Sequence, residues 1–125
     1  MVQGAPDDTD AATNAPVARP YTPISSPDIQ GAFELLIKSY PSGRVSTYLH
    51  ARRAGDKVLI KGPFPKLSYR PNMTRRILML AGGTGITPMA QVLHRVLDEG
   101  SGDRTRVTLL FGSKTRGDIL MKVGV

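Results

Sequence analysis

A chain of 125 residues is the size of one modest domain, long enough to build a core when most of it takes part. Its 40% hydrophobic and 22% charged residues are ordinary for a globular protein, while 13 glycines and 10 prolines point to many turns. The lack of cysteine excludes disulfides, thiolate metal sites and a cysteine nucleophile, and 17 Lys plus Arg against 10 Asp plus Glu give a net charge of +7 that favours anionic ligands, acidic partners or nucleic acid.

Residues 1 to 18, MVQGAPDDTDAATNAPVA, have neither the basic start nor the apolar core of a signal peptide. With almost no large apolar side chain they are expected to form a disordered lead-in. In Arg19-Pro20-Tyr21-Thr22-Pro23 two prolines favour extended backbone, which sets Arg19 and Tyr21 on one side. A guanidinium can grip a phosphate there and a tyrosine ring can lie against a flat ligand, although a plain extended linker fits the same residues. Phe33, Leu35 and Ile37 alternate with Glu34, Leu36 and Lys38 along an expected strand ending near Tyr40.

Pro41, Ser42 and Gly43 break that strand, and Ser46 is a candidate cap for a short helix over Thr47 to Arg53 closed by Gly55. Arg44 beside the helix start makes the turn a possible anion site; simple capping is the alternative. Lys57 to Gly62 is a short expected strand. The polar stretch Arg70 to Arg76 then separates period-two strands from a βα pattern, which divides the chain into a first domain over 19 to 74 and a second over 75 to 125.

Ile77 to Ala81 is an unbroken apolar run, the pattern of a parallel strand covered by helices on both faces. Gly82, Gly83 and Gly85 interrupt it, and Thr87 and Pro88 suit an N-cap and first helical position. Strand, glycine turn and helix start together suggest phosphate binding, although a tight turn alone can need such glycines and Pro88 stands in place of the third glycine of a dinucleotide fingerprint. Met89, Val92, Leu93, Val96 and Leu97 keep helical spacing up to a stop at Gly100, and Val107 to Phe111 forms a second strand, completing one βαβ unit with an expected right-handed crossover. His50 and His94 have no metal-ligand spacing and receive no chemistry. No apolar run reaches membrane-spanning length.

Taken in order, RPYTPIS at Arg19 to Ser25, the Gly43 to Ser46 turn, KGP at Lys61 to Pro63, AGGTGITPM at Ala81 to Met89 and DIL at Asp118 to Leu120 resemble the NADH-cytochrome b5 reductase family. The resemblance implies a partial antiparallel FAD-binding β-barrel followed by the start of a parallel α/β nicotinamide-binding domain. It implies hydride transfer from NADH to FAD and single-electron transfer to an acidic haem protein of the cytochrome b5 type. On that similarity Arg19, Gly43, Arg44, Val45 and Ser46 hold the FAD pyrophosphate, Tyr21 lies along the flavin, Thr22 sits at its reactive edge as the catalytic candidate, and Ser25 closes the motif. Gly83, Thr84, Gly85, Thr87 and Pro88 form the nicotinamide-side turn.

Two residues depart from the family pattern: Arg44 replaces the usual lysine, and Pro65 stands where a second glycine is common. The family's first barrel strands and its later nicotinamide-domain strands have no counterpart here, so the chain is expected to be the middle of a reductase, exposing strand edges and apolar faces that associate or stay fluid. Its expected place is intracellular, on the cytosolic side, with membrane association at the endoplasmic reticulum or mitochondrion through segments outside this chain. Two other readings stay open: a nonfunctional fragment without bound flavin, and a basic nucleic-acid-binding module, which the absence of an aromatic-basic surface motif disfavours.

Overall fold

The computed structural model describes residues 1 to 122, so positions 123 to 125 of the expected second domain lie outside the described residues. The chain forms two compact units, one of residues 1–21 and 37–65, the other of 22–36 and 66–125.

In the first unit β1 (Val2–Gln3) pairs antiparallel with β2 (Ala18–Arg19), Val2 opposite Arg19. The other side of β1 is met by residues 59 to 61: Gln3 N donates to Leu59 O at 3.1 Å, Lys61 N donates to Met1 O at 2.9 Å, and Val2 bridges Ile60. This bridge is what remains of the strand expected at Lys57 to Gly62. Val2, Val17 and Val45, each no more than 4% exposed, make the small core.

Residues 1 to 18 are therefore built into the fold, contrary to the disordered lead-in expected from composition. Two buried valines anchor the ends of the segment, and Asp10 organises its tip. The Asp10 carboxylate accepts from Ala12 N, Thr13 N and the Thr13 hydroxyl at 3.0 to 3.2 Å, and Asp10 N donates to Ala15 O at 2.8 Å. Asp, Thr and Asn here are turn chemistry of the Asx kind.

Helix α1 runs Arg44–His50, earlier than expected. Its cap is Gly43, while Ser46 lies inside the first turn, where its hydroxyl donates to Gly43 O at 3.0 Å. It stops at His50 because Arg53 N turns to the Asp56 carboxylate at 2.9 Å and Gly55 takes a positive φ.

In the second unit, β3 (Arg76–Gly82) and β4 (Arg106–Gly112) pair parallel over seven residues, from Arg76 opposite Arg106 to Gly82 opposite Gly112. A 3₁₀ turn over Gly83–Gly85 leads into α2 (Ile86–Val96), so the βαβ unit forms as the apolar runs require. Met79 at 3% exposure is buried with Ile86, Ala90 and Val96 of α2. Among the described residues one sheet face is covered and the other is not: Leu78, Leu80 and Leu110 are 58 to 65% exposed, whereas the sequence suggested cover on both sides. Leu97 lies beyond the last helical residue and is exposed, and Asp98 caps the following turn by accepting from Gly100 N at 3.1 Å.

The strand expected from Phe33 to Tyr40 is reduced to one bridge, Pro23 to Leu35, beside which Ile24 N donates to Glu34 O at 2.9 Å. The Pro23 side offers no longer ladder, because proline lacks the N–H. The polar connector before β3 is clamped to the turn before β4. Tyr69 OH donates to Asp103 Oδ2 at 2.5 Å, and Asn72 N and Thr105 N donate to Asp103 Oδ1 at 3.1 and 2.9 Å. Thr105, 8% exposed, donates in turn to Thr74 O at 2.9 Å.

Desolvation of the Asp103 carboxyl pushes its pKa up, but these hydrogen bonds favour the charged form more strongly and hold it at about 2 against the ordinary 3.8. A folded pKa below the unfolded one means that the clamp contributes fully above pH ~4 and is lost as pH falls toward ~2. Thermal midpoints measured from pH 5 to pH 2 should therefore fall more steeply for the parent than for Asp103→Asn, which starts lower and titrates less. Parallel curves would remove Asp103 from acid sensitivity.

Candidate functional site

In the first unit the short turn Gly43 to Ser46 has the makings of an anion cradle. The amides of the first turn of α1 have no partner within the helix. The Arg44 side chain is about half exposed and lies on the N-terminal segment, its Nε donating to Asp8 Oδ2 at 2.9 Å and its NH2 to Thr9 O at 2.8 Å, with an ion pair to Asp8 Oδ1. Nε and NH2 are thus held side-on, and the NH1 edge is the part of the fork available to a ligand. Val45 points into the valine core. The Ser46 hydroxyl is 5% exposed and spent inside the turn, donating to Gly43 O and accepting from Tyr40 N at 3.4 Å. Serine therefore shapes this turn, and the backbone and Arg44 are what it presents.

Gly43 is fixed by packing. A Cβ there would overlap Ser46 Oγ and lie 3.0 Å from Tyr40 Cβ, although its backbone angles suit any residue. Arg19 is exposed, with NH1 donating to its neighbour's carbonyl Ala18 O at 2.9 Å. Tyr21 is half-buried; desolvation raises its pKa, the Arg19 charge opposes that rise and Tyr40 adds to it.

The RPYTPIS motif is divided between the units: Arg19 and Tyr21 belong to the first, Thr22 and Ser25 to the second. Within the second unit this segment is tied to α2, since Gln91 Nε2 donates to Pro23 O at 2.9 Å and Arg95 pairs with Asp28 at 3.5 Å. Gln91 stands one turn after Thr87, so the structure brings the Thr22 segment to the helix that leaves the glycine turn. Thr22 is half-buried; Ser25 is 6% exposed, its hydroxyl accepting from Glu34 N at 3.0 Å.

The glycine turn stands at the carboxyl end of β3. Thr87 is one residue into α2 instead of capping it, and its hydroxyl donates to Thr84 O at 3.1 Å, locking the turn; Pro88 is exposed in the first helical turn, where its missing N–H is not needed. Gly83 takes φ +51 and so needs glycine for its conformation. Gly85 does not, being in the right-handed region at φ −63. A Cβ on Gly82, Gly83, Gly85 or Gly112 would meet nothing within 4 Å. Bare backbone over open space at the carboxyl ends of parallel strands is ground where a ligand can approach amides closely.

Two residues of this end carry no motif signal in the sequence. Gln91 looks like an ordinary polar helix position, and only its spacing of four from Thr87 hints that both share a face. Ser113, directly after β4, has a buried hydroxyl with no hydrogen-bond partner among the described residues; its place just past a strand's carboxyl end was the available clue.

Comparison with known proteins finds two matching domain families. Residues 8–69 match the oxidoreductase FAD-binding domain and residues 79–125 the oxidoreductase NAD-binding domain. The chain is 49% identical over 106 residues to NADH-cytochrome b5 reductase 2 of Mycosarcoma maydis, covering 85% of this chain and 30% of that protein. It is 52% identical to NADH-cytochrome b5 reductase 1 of Dictyostelium discoideum over 106 residues, 85% of this chain and 37% of that one. It thus spans about a third of the length of these relatives. Among solved structures, full-length CYP116B46 from Tepidiphilus thermophilus matches with a TM-score of 0.62 at 27% identity, over 80% of this chain and 13% of that one.

The packing around Gly43 gives a direct check on the cradle. Gly43→Ala should destabilise the chain by roughly 1–3 kcal/mol in urea unfolding, as expected of overpacking, and Gly43→Ala with Ser46→Ala should recover part of that loss by removing the atom in the way. A double variant no better than the single would locate the strain elsewhere.

Proposed function

This chain belongs to the NADH-cytochrome b5 reductase family, and on that footing we propose that it supplies a flavin cradle and a nicotinamide turn to a reductase that passes hydride from NADH to FAD and single electrons to an acidic haem protein of the cytochrome b5 type. The observation that carries the reading is the open space above Gly82, Gly85 and Gly112, glycines that neither neighbouring side chains nor a positive φ require. FAD, when bound, supplies the ability to take two electrons together and release them singly.

The residues of this chain contribute binding and orientation. Arg19 and the free edge of Arg44 meet the charge of a diphosphate, with the first-turn amides of α1 beside them. Tyr21 offers a ring for the flavin to lie along. Thr22, fixed on the segment that Gln91 holds, is the candidate for the reacting edge, and Ser25 steadies that segment from below through Glu34 N. Thr84 and Thr87 keep the glycine turn in shape, and the buried Ser113 hydroxyl is a spare polar group for the nicotinamide side. No described helix is long and apolar enough to cross a membrane; a position on the cytosolic side of a membrane, anchored through other segments, belongs to the proposal.

Two measurements test it. FAD titrated into the chain and followed by flavin fluorescence should saturate, and Arg19→Ala should weaken binding about tenfold, the loss of one charge-assisted contact; equal affinity would remove Arg19 from the cradle. Gly85→Val should leave FAD affinity unchanged while raising the Kd for NADH, because the side chain stands where the backbone is approached and the native φ is one valine can adopt. Unaltered NADH affinity would make this turn structural only.

A further inference from the structure

The amino ends of β3 and β4, opposite the glycine turn, carry a feature that the reductase reading does not use. A cleft of about 360 Å³ in the second unit is lined by Asn72, Thr74, Arg75, Arg76, Arg104 and Arg106. All four arginines are exposed. Arg76 and Arg106 are direct partners in the parallel ladder, where like charges oppose each other, and Arg106 N donates to Arg75 O at 3.1 Å, which keeps the neighbouring arginine close.

Among the described residues, none of the four pairs with a carboxylate. The nearest in sequence, Asp103, is committed to Tyr69, Asn72 and Thr105. The uncharged lining is committed too: the Asn72 side chain donates to Gly102 O at 3.1 Å and accepts from Arg104 N at 2.8 Å, and the Thr74 hydroxyl donates to Arg76 O at 3.3 Å. What faces the cleft with donors to spare is guanidinium, mounted on a frame whose other polar groups are satisfied. Repulsion among four such groups is relieved by a multivalent anion, and planar forks suit tetrahedral oxyanions.

We propose that this cleft is a binding site for a small multivalent phosphate-type anion, at the opposite end of β3 and β4 from the glycine turn. The lining has no aromatic side chain, which argues against the stacked bases of nucleic acid.

The test is calorimetric titration of inorganic pyrophosphate into the full chain at low salt. One saturable site is expected that weakens about tenfold or more in Arg104→Gln with Arg106→Gln, and persists in Arg19→Ala with Arg44→Ala, which removes the flavin-side phosphate contacts and so separates failure here from failure of the reductase reading. Loss only in the latter pair, or equal weakening in the remote control Arg52→Gln with Arg53→Gln, overturns the proposal. As a readout that needs no variant, pyrophosphate should shift the Nε–Hε resonances of Arg75, Arg76, Arg104 and Arg106 in the parent, and unmoved signals overturn it. Vesicles containing a bisphosphorylated inositol lipid form a second arm: binding there as well would identify a headgroup as a source of the same anion. Binding of duplex DNA with no response to pyrophosphate would replace the small-anion site with a nucleic-acid surface.

Discussion

The in-register pairing of β3 with β4 is the constraint on which the second unit depends. Because parallel strands run the same way, a single crossover helix must carry the chain from one end of the sheet to the other, so both carboxyl ends fall on one side and both amino ends on the opposite side. The two ends of the sheet differ in side-chain chemistry accordingly. The carboxyl side collects glycines, the Thr84 to Thr87 lock and the Ser113 hydroxyl, which has no partner among the described residues. The amino side collects Tyr69, Asp103, Thr105 and the arginines. One side is left bare and adaptable; the other is hydrogen-bonded into a frame.

The first unit works on a different basis. Three valines make its core, and polar groups do much of the shaping: Asp10 turns the N-terminal segment, Ser46 tightens the cradle, and Asp8 with Thr9 aims Arg44. That position 44 is an arginine has a structural meaning here. An ammonium is a single point of charge, whereas a guanidinium can be gripped along one edge by a carboxylate and still present another.

The βαβ unit was legible in the sequence because long apolar runs and helical spacing leave little choice, and the glycines after Ala81 marked the turn that follows β3. Boundaries were less legible. Thr87 and Ser46 both look like helix caps, yet each donates back to a carbonyl three residues earlier from within the first turn, since the preceding glycines had already started the helix. Residues 1 to 18 looked disordered because hydrophobicity averaged over the segment hides two valines at the right places. The tie from Gln91 to Pro23, 68 residues apart, and the aim of Asp8 at Arg44, 36 apart, depend on tertiary placement that no local pattern encodes.

The leucine face of the sheet carries a thermodynamic consequence. Leu78, Leu80 and Leu110 present contiguous apolar surface to water on adjacent strands, and anything that covers them binds the folded form in preference to the unfolded one. By mass action the folding equilibrium of this unit is then coupled to the concentration of whatever occupies that face, another copy of the chain included. For a unit whose leucine face is covered by a second copy, the free energy of unfolding rises with protein concentration, and a melting curve recorded at one dilution then measures an association constant and a folding constant together.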